Sequence, residues 1–193
     1  MKMAKKLLAV VLTGVMAVSM LTGCASISSR QVADELETML HTANTKATVK
    51  AVDDDLANDA IKGAVKDHKF VSNTEDGVKA AIKAKLDTTK NNNKYVWATY
   101  FTTKDMKKAD KAQKIAKTLI TVSDQNATVN TAAAVNTSSV KVGDKTGNAI
   151  KAGDKYELSM KEFTIGTGKD AVDYVMVVVT CKAVEVPTTT TQK

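Results

Sequence analysis

Tyr174-Val-Met-Val-Val-Val-Thr-Cys181 is an almost unbroken apolar run of strand length. A run with so little polar alternation reads as a strand buried on both faces in mid-sheet, and the strand extends from Val172 to Val186, where Pro187 ends it. The segment before it alternates: Tyr156, Leu158 and Met160 are interleaved with Lys155, Glu157, Ser159 and Lys161, the pattern of a half-buried strand. Gly166-Thr-Gly168-Lys169-Asp170 supplies the turn between the two. Tyr95 to Phe101, β-branched and aromatic, predicts another strand, and Ala47 to Val52 a short one.

The first half of the chain has helical periodicity instead. Val32, Leu36, Met39 and Leu40 recur on one face, with Ser28 or Ser29 placed to cap them. Asp53-Asp54-Asp55 precedes the stripe Leu56, Ala60, Ile61, Ala64 and Val65, an acidic start that suits the positive end of a helix. Ser72-Asn-Thr-Glu75 has the form of a capping box ahead of Val78, Ala81, Ile82 and Leu86. A fourth helix is predicted from about Met106 to Val122, capped by Asp105, with Ala109, Ala112, Ile115, Ala116, Leu119 and Ile120 inward. Thr88 to Asn93 is a polar loop, and Ser123 to Thr146 holds a strand near Val129 and another around Val140-Lys-Val142. Helices first and strands mostly later predict an α+β class, with about four helices on one face of a mostly antiparallel sheet. Asp59 to Lys66 and Asp76 to Lys83 resemble each other, but any Ala/Lys/Ile amphipathic helix drifts toward such similarity, and repeat folds need at least about three units.

The N-terminus has a different logic. Lys2, Lys5 and Lys6 precede Leu7 to Met20, an apolar segment too short and too interrupted by Thr13, Gly14 and Ser19 for a membrane span, which needs about 20 residues. It ends in Leu21-Thr22-Gly23-Cys24. These residues resemble the signal peptide and lipobox of a bacterial lipoprotein precursor. The resemblance implies cleavage before Cys24, a diacylglycerol thioether on its sulfur, possible N-acylation, and an extracytoplasmic, lipid-anchored protein of the cell membrane or envelope. It covers about the first 25 residues and is silent on the remainder. The expected organisation is signal peptide 1–23, lipidated tether 24–30, a single domain 31–187 and a polar tail 188–193. Ala25 lacks the Asp that marks inner-membrane retention in double-membraned bacteria, which does not place the protein on one membrane.

Removing 23 residues from 193 leaves 170, enough for one core and short for two, with 25 basic against 21 acidic residues. That balance lacks the concentrated basic footprint of nucleic-acid binding, and Arg30 is the sole arginine for bidentate phosphate contacts. With Cys24 lipidated, Cys181 has no disulfide partner and reads as a small core hydrophobe. His41 and His68 lack the local company of a metal site. Asp53, Asp54, Asp55 and Asp59 miss the calcium-loop spacing, which would want Gly at Asn58 and Glu at Ala64. Gly166-Thr-Gly168-Lys169 misses the phosphate-loop spacing, and no nucleophile elbow or zinc-protease motif occurs.

One surface feature remains. On the predicted fourth helix, Lys104, Lys107, Lys111 and Lys114 fall within a narrow arc, flanked by Lys108 and Lys117, a face for anionic lipid or an acidic polymer or else a solvated face. Alternation places Tyr95, Trp97 and Phe101 on one face of their strand and Tyr100 on the other, as core or as a carbohydrate platform. The functional expectation is a non-catalytic binding or interaction module without cofactor or metal, its partner an envelope protein or acidic polymer and not nucleic acid. The alternatives are a small-molecule or glycan-binding lipoprotein and an envelope hydrolase.

Overall fold

Residues Val172–Glu185 form β8, which among the described residues lies between two other strands of a four-stranded sheet. The computed structural model describes residues 27–86, 93–107, 110–123, 126–129, 135–136 and 139–187, with backbone alone for 121–129. In chain order the elements are α1 (Ser29–Leu40), β1 (Thr48–Ala51), α2 (Leu56–Ala64), β2 (Val65–Lys66), β3 (Lys69–Phe70), α3 (Thr74–Lys85), β4 (Lys94–Thr102), α4 (Lys111–Leu119), β5 (Ile120–Ser123), β6 (Asn126–Val129), β7 (Ile150–Ile165) and β8. Strand β7 is antiparallel to β8, β8 is antiparallel to β4, and only β1 runs parallel to its neighbour β7. The class is α+β. The loop at 88–92, the tail at 188–193 and residues 1–23, expected to be a signal peptide, lie outside the described residues.

The helices do not share one face of the sheet, as the order of elements suggested. Helices α1 and α4 pack with Val175, Val177, Val179 and Cys181 of β8, while α2 and α3 pack with Met176 and Val178. Successive strand side chains point to opposite faces, so the apolar run of β8 feeds two cores. A sheet covered on one side would leave Met176 and Val178 in water, whereas both are fully buried. The same alternation sends Tyr95, Trp97 and Phe101 to the α1–α4 side and Tyr100 to the α2–α3 side.

Local chemistry sets the element ends. Ser28 Oγ accepts a 3.4 Å hydrogen bond from the Gln31 N–H and starts α1, whose Val32, Ala33, Leu36 and Leu40 are buried. Burying Leu36 completely contributes about 1.5–3 kcal/mol. The expected capping box does not form: Asn73 is the N-cap of α3, and Thr74 Oγ1 instead donates to the Val71 carbonyl at 2.9 Å. Helix α2 ends at Ala64 and the chain turns through β2 and β3, with Asp67 and His68 at positive φ of 51° and 58°. Residues of this type tolerate the left-handed region better than β-branched ones, and two in succession match a tight hairpin turn. Lys66 therefore lies in a strand and Lys83 in a helix, so the two similar segments do not fold alike to their ends.

Side chains occupy parts of both sheet edges. Glu37 Oε2 accepts from the Val49 N–H at 2.7 Å on β1. On β4, Asn136 accepts from the Val96 N–H at 2.9 Å and donates to the Lys94 carbonyl at 2.7 Å. Backbone groups tied up in this way are not free to pair with another chain. The predicted strand near Val129 is present as β6, but Val142 makes only an isolated bridge to Lys145 across a turn.

Candidate functional site

Cys24, expected from the sequence to carry a lipid, lies outside the described residues, which begin at Ile27. Residues 27–30, expected in the tether, belong to the folded domain. Ile27 packs against the α1–α4 core, its N–H donates to Glu162 Oε1 at 2.8 Å, and α1 begins at Ser29. No helix among the described residues is long and apolar enough to cross a membrane.

The lysine stripe is only partly helical. Helix α4 starts at Lys111, with Asp110 rather than Asp105 as its N-cap. Before it, β4 runs to Thr102, whose Oγ1 accepts from the Lys104 N–H at 3.2 Å, and the Thr103 N–H donates to the Asp173 carbonyl at 2.9 Å. These threonine contacts hold the backbone in turns and compete with helix formation. Lys104 and Lys107 are thus exposed in the β4–α4 loop, while Lys111, half-buried, and Lys114, exposed, lie on the helix. On α4 the buried residues are Ile115, Ala116 and Leu119, and Lys117 joins Lys114 on the solvent side. The arc of four lysines on one helix is replaced by a basic segment spread from loop to helix.

The other candidate residues are dispersed. His41 caps the C-terminus of α1, with Nε2 2.6 Å from the Ala47 carbonyl oxygen. Exposed His68 is in the β2–β3 turn. Asp53 pairs with Lys161 at 2.9 Å, Asp54 Oδ1 accepts from the Leu56 N–H at 3.1 Å, and Asp55 lies 3.9 Å from Lys85. Asp59 lies between Lys62 at 2.9 Å and Lys85 at 3.4 Å. The hydrogen bond from Lys62 holds its carboxyl below the usual carboxylate range against the opposing effect of burial, and raises the Lys62 ammonium in turn. Because the Lys62 side chain is 76% exposed, solvent screens the pair and it adds little to stability. Among the described residues, no group of three or more His, Cys, Asp or Glu is placed to hold a metal ion.

Cys181 is buried beside Tyr156, and its Sγ donates to the Gly153 carbonyl at 3.4 Å. Burial pushes the thiol up to about 11 and raises the Tyr156 phenol as well. The thiolate is the reactive form. Cys181 is therefore expected to resist a disulfide-exchange reagent at pH 8 in the folded protein and to react fully in denaturant, as thiol release would record. Stoichiometric labelling under native conditions would show that the thiol is accessible.

Sequence reasoning missed a group of four half-buried aromatics. Phe70 lies 4.9 Å from Tyr100, 5.1 Å from Tyr174 and 6.1 Å from Phe163 between ring centroids. Phe163 and Tyr174 face each other across β7 and β8, and the Gly166 N–H donates to the His68 carbonyl at 2.8 Å, holding the β2–β3 hairpin over them. Of the four, strand alternation assigns a face to Tyr100 alone. Trp97 is largely buried, and the Tyr95–Trp97–Tyr156 group is part of the α1–α4 core rather than an exposed platform. Comparison of the chain with protein-family models, with curated proteins and with solved structures finds no significant match.

Proposed function

We propose that this chain is an extracytoplasmic lipoprotein of the cell envelope, held to the membrane through Cys24, whose α+β domain is a non-catalytic binding or interaction module. The observation that carries this reading is the order of the first 24 residues: a lysine-bearing start, an apolar segment and Leu21-Thr22-Gly23-Cys24. A diacylglycerol places two acyl chains in the bilayer. Each buried methylene contributes about 0.8 kcal/mol, and two chains make a stable anchor where one is marginal. An envelope protein or acidic polymer fits the domain as partner, and the domain's role needs no cofactor.

Replacing Cys24 by Ala tests the anchor. The variant is expected to accumulate unprocessed or leave the membrane fraction, while the wild type stays with the membrane after a high-salt wash. Normal processing and attachment of the variant would contradict the reading. The half-exposed aromatic group around Phe70 favours glycan binding as the alternative, since sugar rings stack on such faces.

A further inference from the structure

Ile27 restricts how the domain can meet the membrane. Its side chain is packed on the core and its N–H is bonded to Glu162, and only Ala25 and Ser26 separate it from Cys24. Three residue steps reach at most about 10 Å. Glu162 is level with Val175 on β8 and Phe101 on β4, near the end of the sheet where β4 finishes and β7 turns into β8. Just past that end come exposed Lys104, Asp105 and Lys107 and the exposed turn residues Lys169 and Asp170. The Phe70 aromatic group is at the same end, on the other face, because Phe163 and Tyr174 are level with Thr102. Thr146 is at the opposite end, before the start of β7, whose 16 residues span roughly 50 Å.

We propose, resting on the lipid-anchor reading, that the domain stands end-on at the bilayer with the β4–α4 loop and the β7–β8 turn facing it, and that Lys104 and Lys107 sit among anionic lipid headgroups. A tether of three residues leaves little freedom to present another end. Among the described residues, no carboxylate lies within ion-pairing distance of either lysine. Asp105 and Asp170 at the same end temper the attraction, so the tether sets the orientation and the lysines adjust it.

The test uses the full lipidated protein reconstituted into phosphatidylcholine vesicles, with or without roughly a third phosphatidylglycerol to supply negative surface charge. A fluorophore is attached at Asp105→Cys or at Thr146→Cys, and headgroup spin-labelled lipid serves as quencher. Co-flotation with the vesicles is scored first. Quenching at position 105 is expected to exceed that at 146 several-fold. Replacing Lys104 and Lys107 by Gln should lower quenching at 105 by about twofold when phosphatidylglycerol is present and leave it unchanged in phosphatidylcholine alone. Protein that floats but is quenched equally at both positions overturns the orientation and leaves the anchor standing. Protein that does not float overturns the anchor and the orientation with it, and quenching unaffected by the lysine replacements removes the headgroup contact.

Discussion

Gly63→Ala and Gly77→Ala are each expected to destabilise the domain, although alanine is the better helix former. In an open helix interior the change from Gly to Ala would stabilise by about 1 kcal/mol. Here α2 and α3 cross with the two glycines against each other. A Cβ on Gly63 would fall on the Gly77 carbonyl oxygen and 2.7 Å from the Ala81 Cβ, and a Cβ on Gly77 would fall on the Gly63 carbonyl oxygen. The obstacle is backbone on both sides, so no side-chain rotation relieves it and the helices must separate. Overpacking of this kind costs about 1–3 kcal/mol, occasionally more, and outweighs the propensity gain. A fall in Tm of roughly 5–10 °C is expected for a domain of this size. Exposed Lys83→Ala on the same helix should change stability by less than about 0.5 kcal/mol. Gly63→Ala or Gly77→Ala melting at or above the wild-type temperature would mean that the helices do not cross at these residues.

The second large effect comes from β8. Val177→Asp and Val178→Asp should each remove much of the domain's stability at neutral pH, because the two side chains enter different cores and both are fully buried. An ionised carboxylate in such a site is either neutralised, with its pKa raised by up to about 3–5 units, or forces the site open. At 1.36 kcal/mol per unit this amounts to about 4–7 kcal/mol, against a total domain stability of about 5–15 kcal/mol. Circular dichroism and limited proteolysis of the two variants read the outcome. If Val178→Asp were tolerated while Val177→Asp was not, the face covered by α2 and α3 would be open, and the sheet would have helices on one side only.

The same strand shows how far the residues alone disclose the fold. The apolar run of β8 announces burial on two faces, and the alternation from Tyr95 to Phe101 assigns those side chains to the faces they occupy. Placing every helix on one side of the sheet ignores what the first signal requires. The order of elements along a chain says little about which face a helix covers, because the short connections around β1 and β4 can carry it to either. Helix ends are less legible for a local reason. Asp105 and Asp110 are equally good caps by type, and hydrogen bonds from the Thr102–Thr103 corner to Asp173, distant in sequence, decide between them. Lys104 and Lys107 consequently leave the helix, and the lysine arc is lost with them. The Phe70 aromatic group is not readable in advance, since its members come from β3, β4, β7 and β8 and meet only once the sheet register and the β2–β3 hairpin are in place. For the site the division is sharper: the role proposed for Cys24 is written in its neighbours, whereas the position of Ile27 against Glu162 depends on residues 135 apart.

Mass spectrometry of the N-terminal peptide from membrane-extracted native protein would read the lipid proposed on Cys24 itself. The expected result is a mature chain beginning at Cys24, its sulfur carrying diacylglycerol, with or without an acyl group on the new amino terminus. A peptide retaining residues 1–23, or a mature chain that begins elsewhere with Cys24 absent or unmodified, would contradict it.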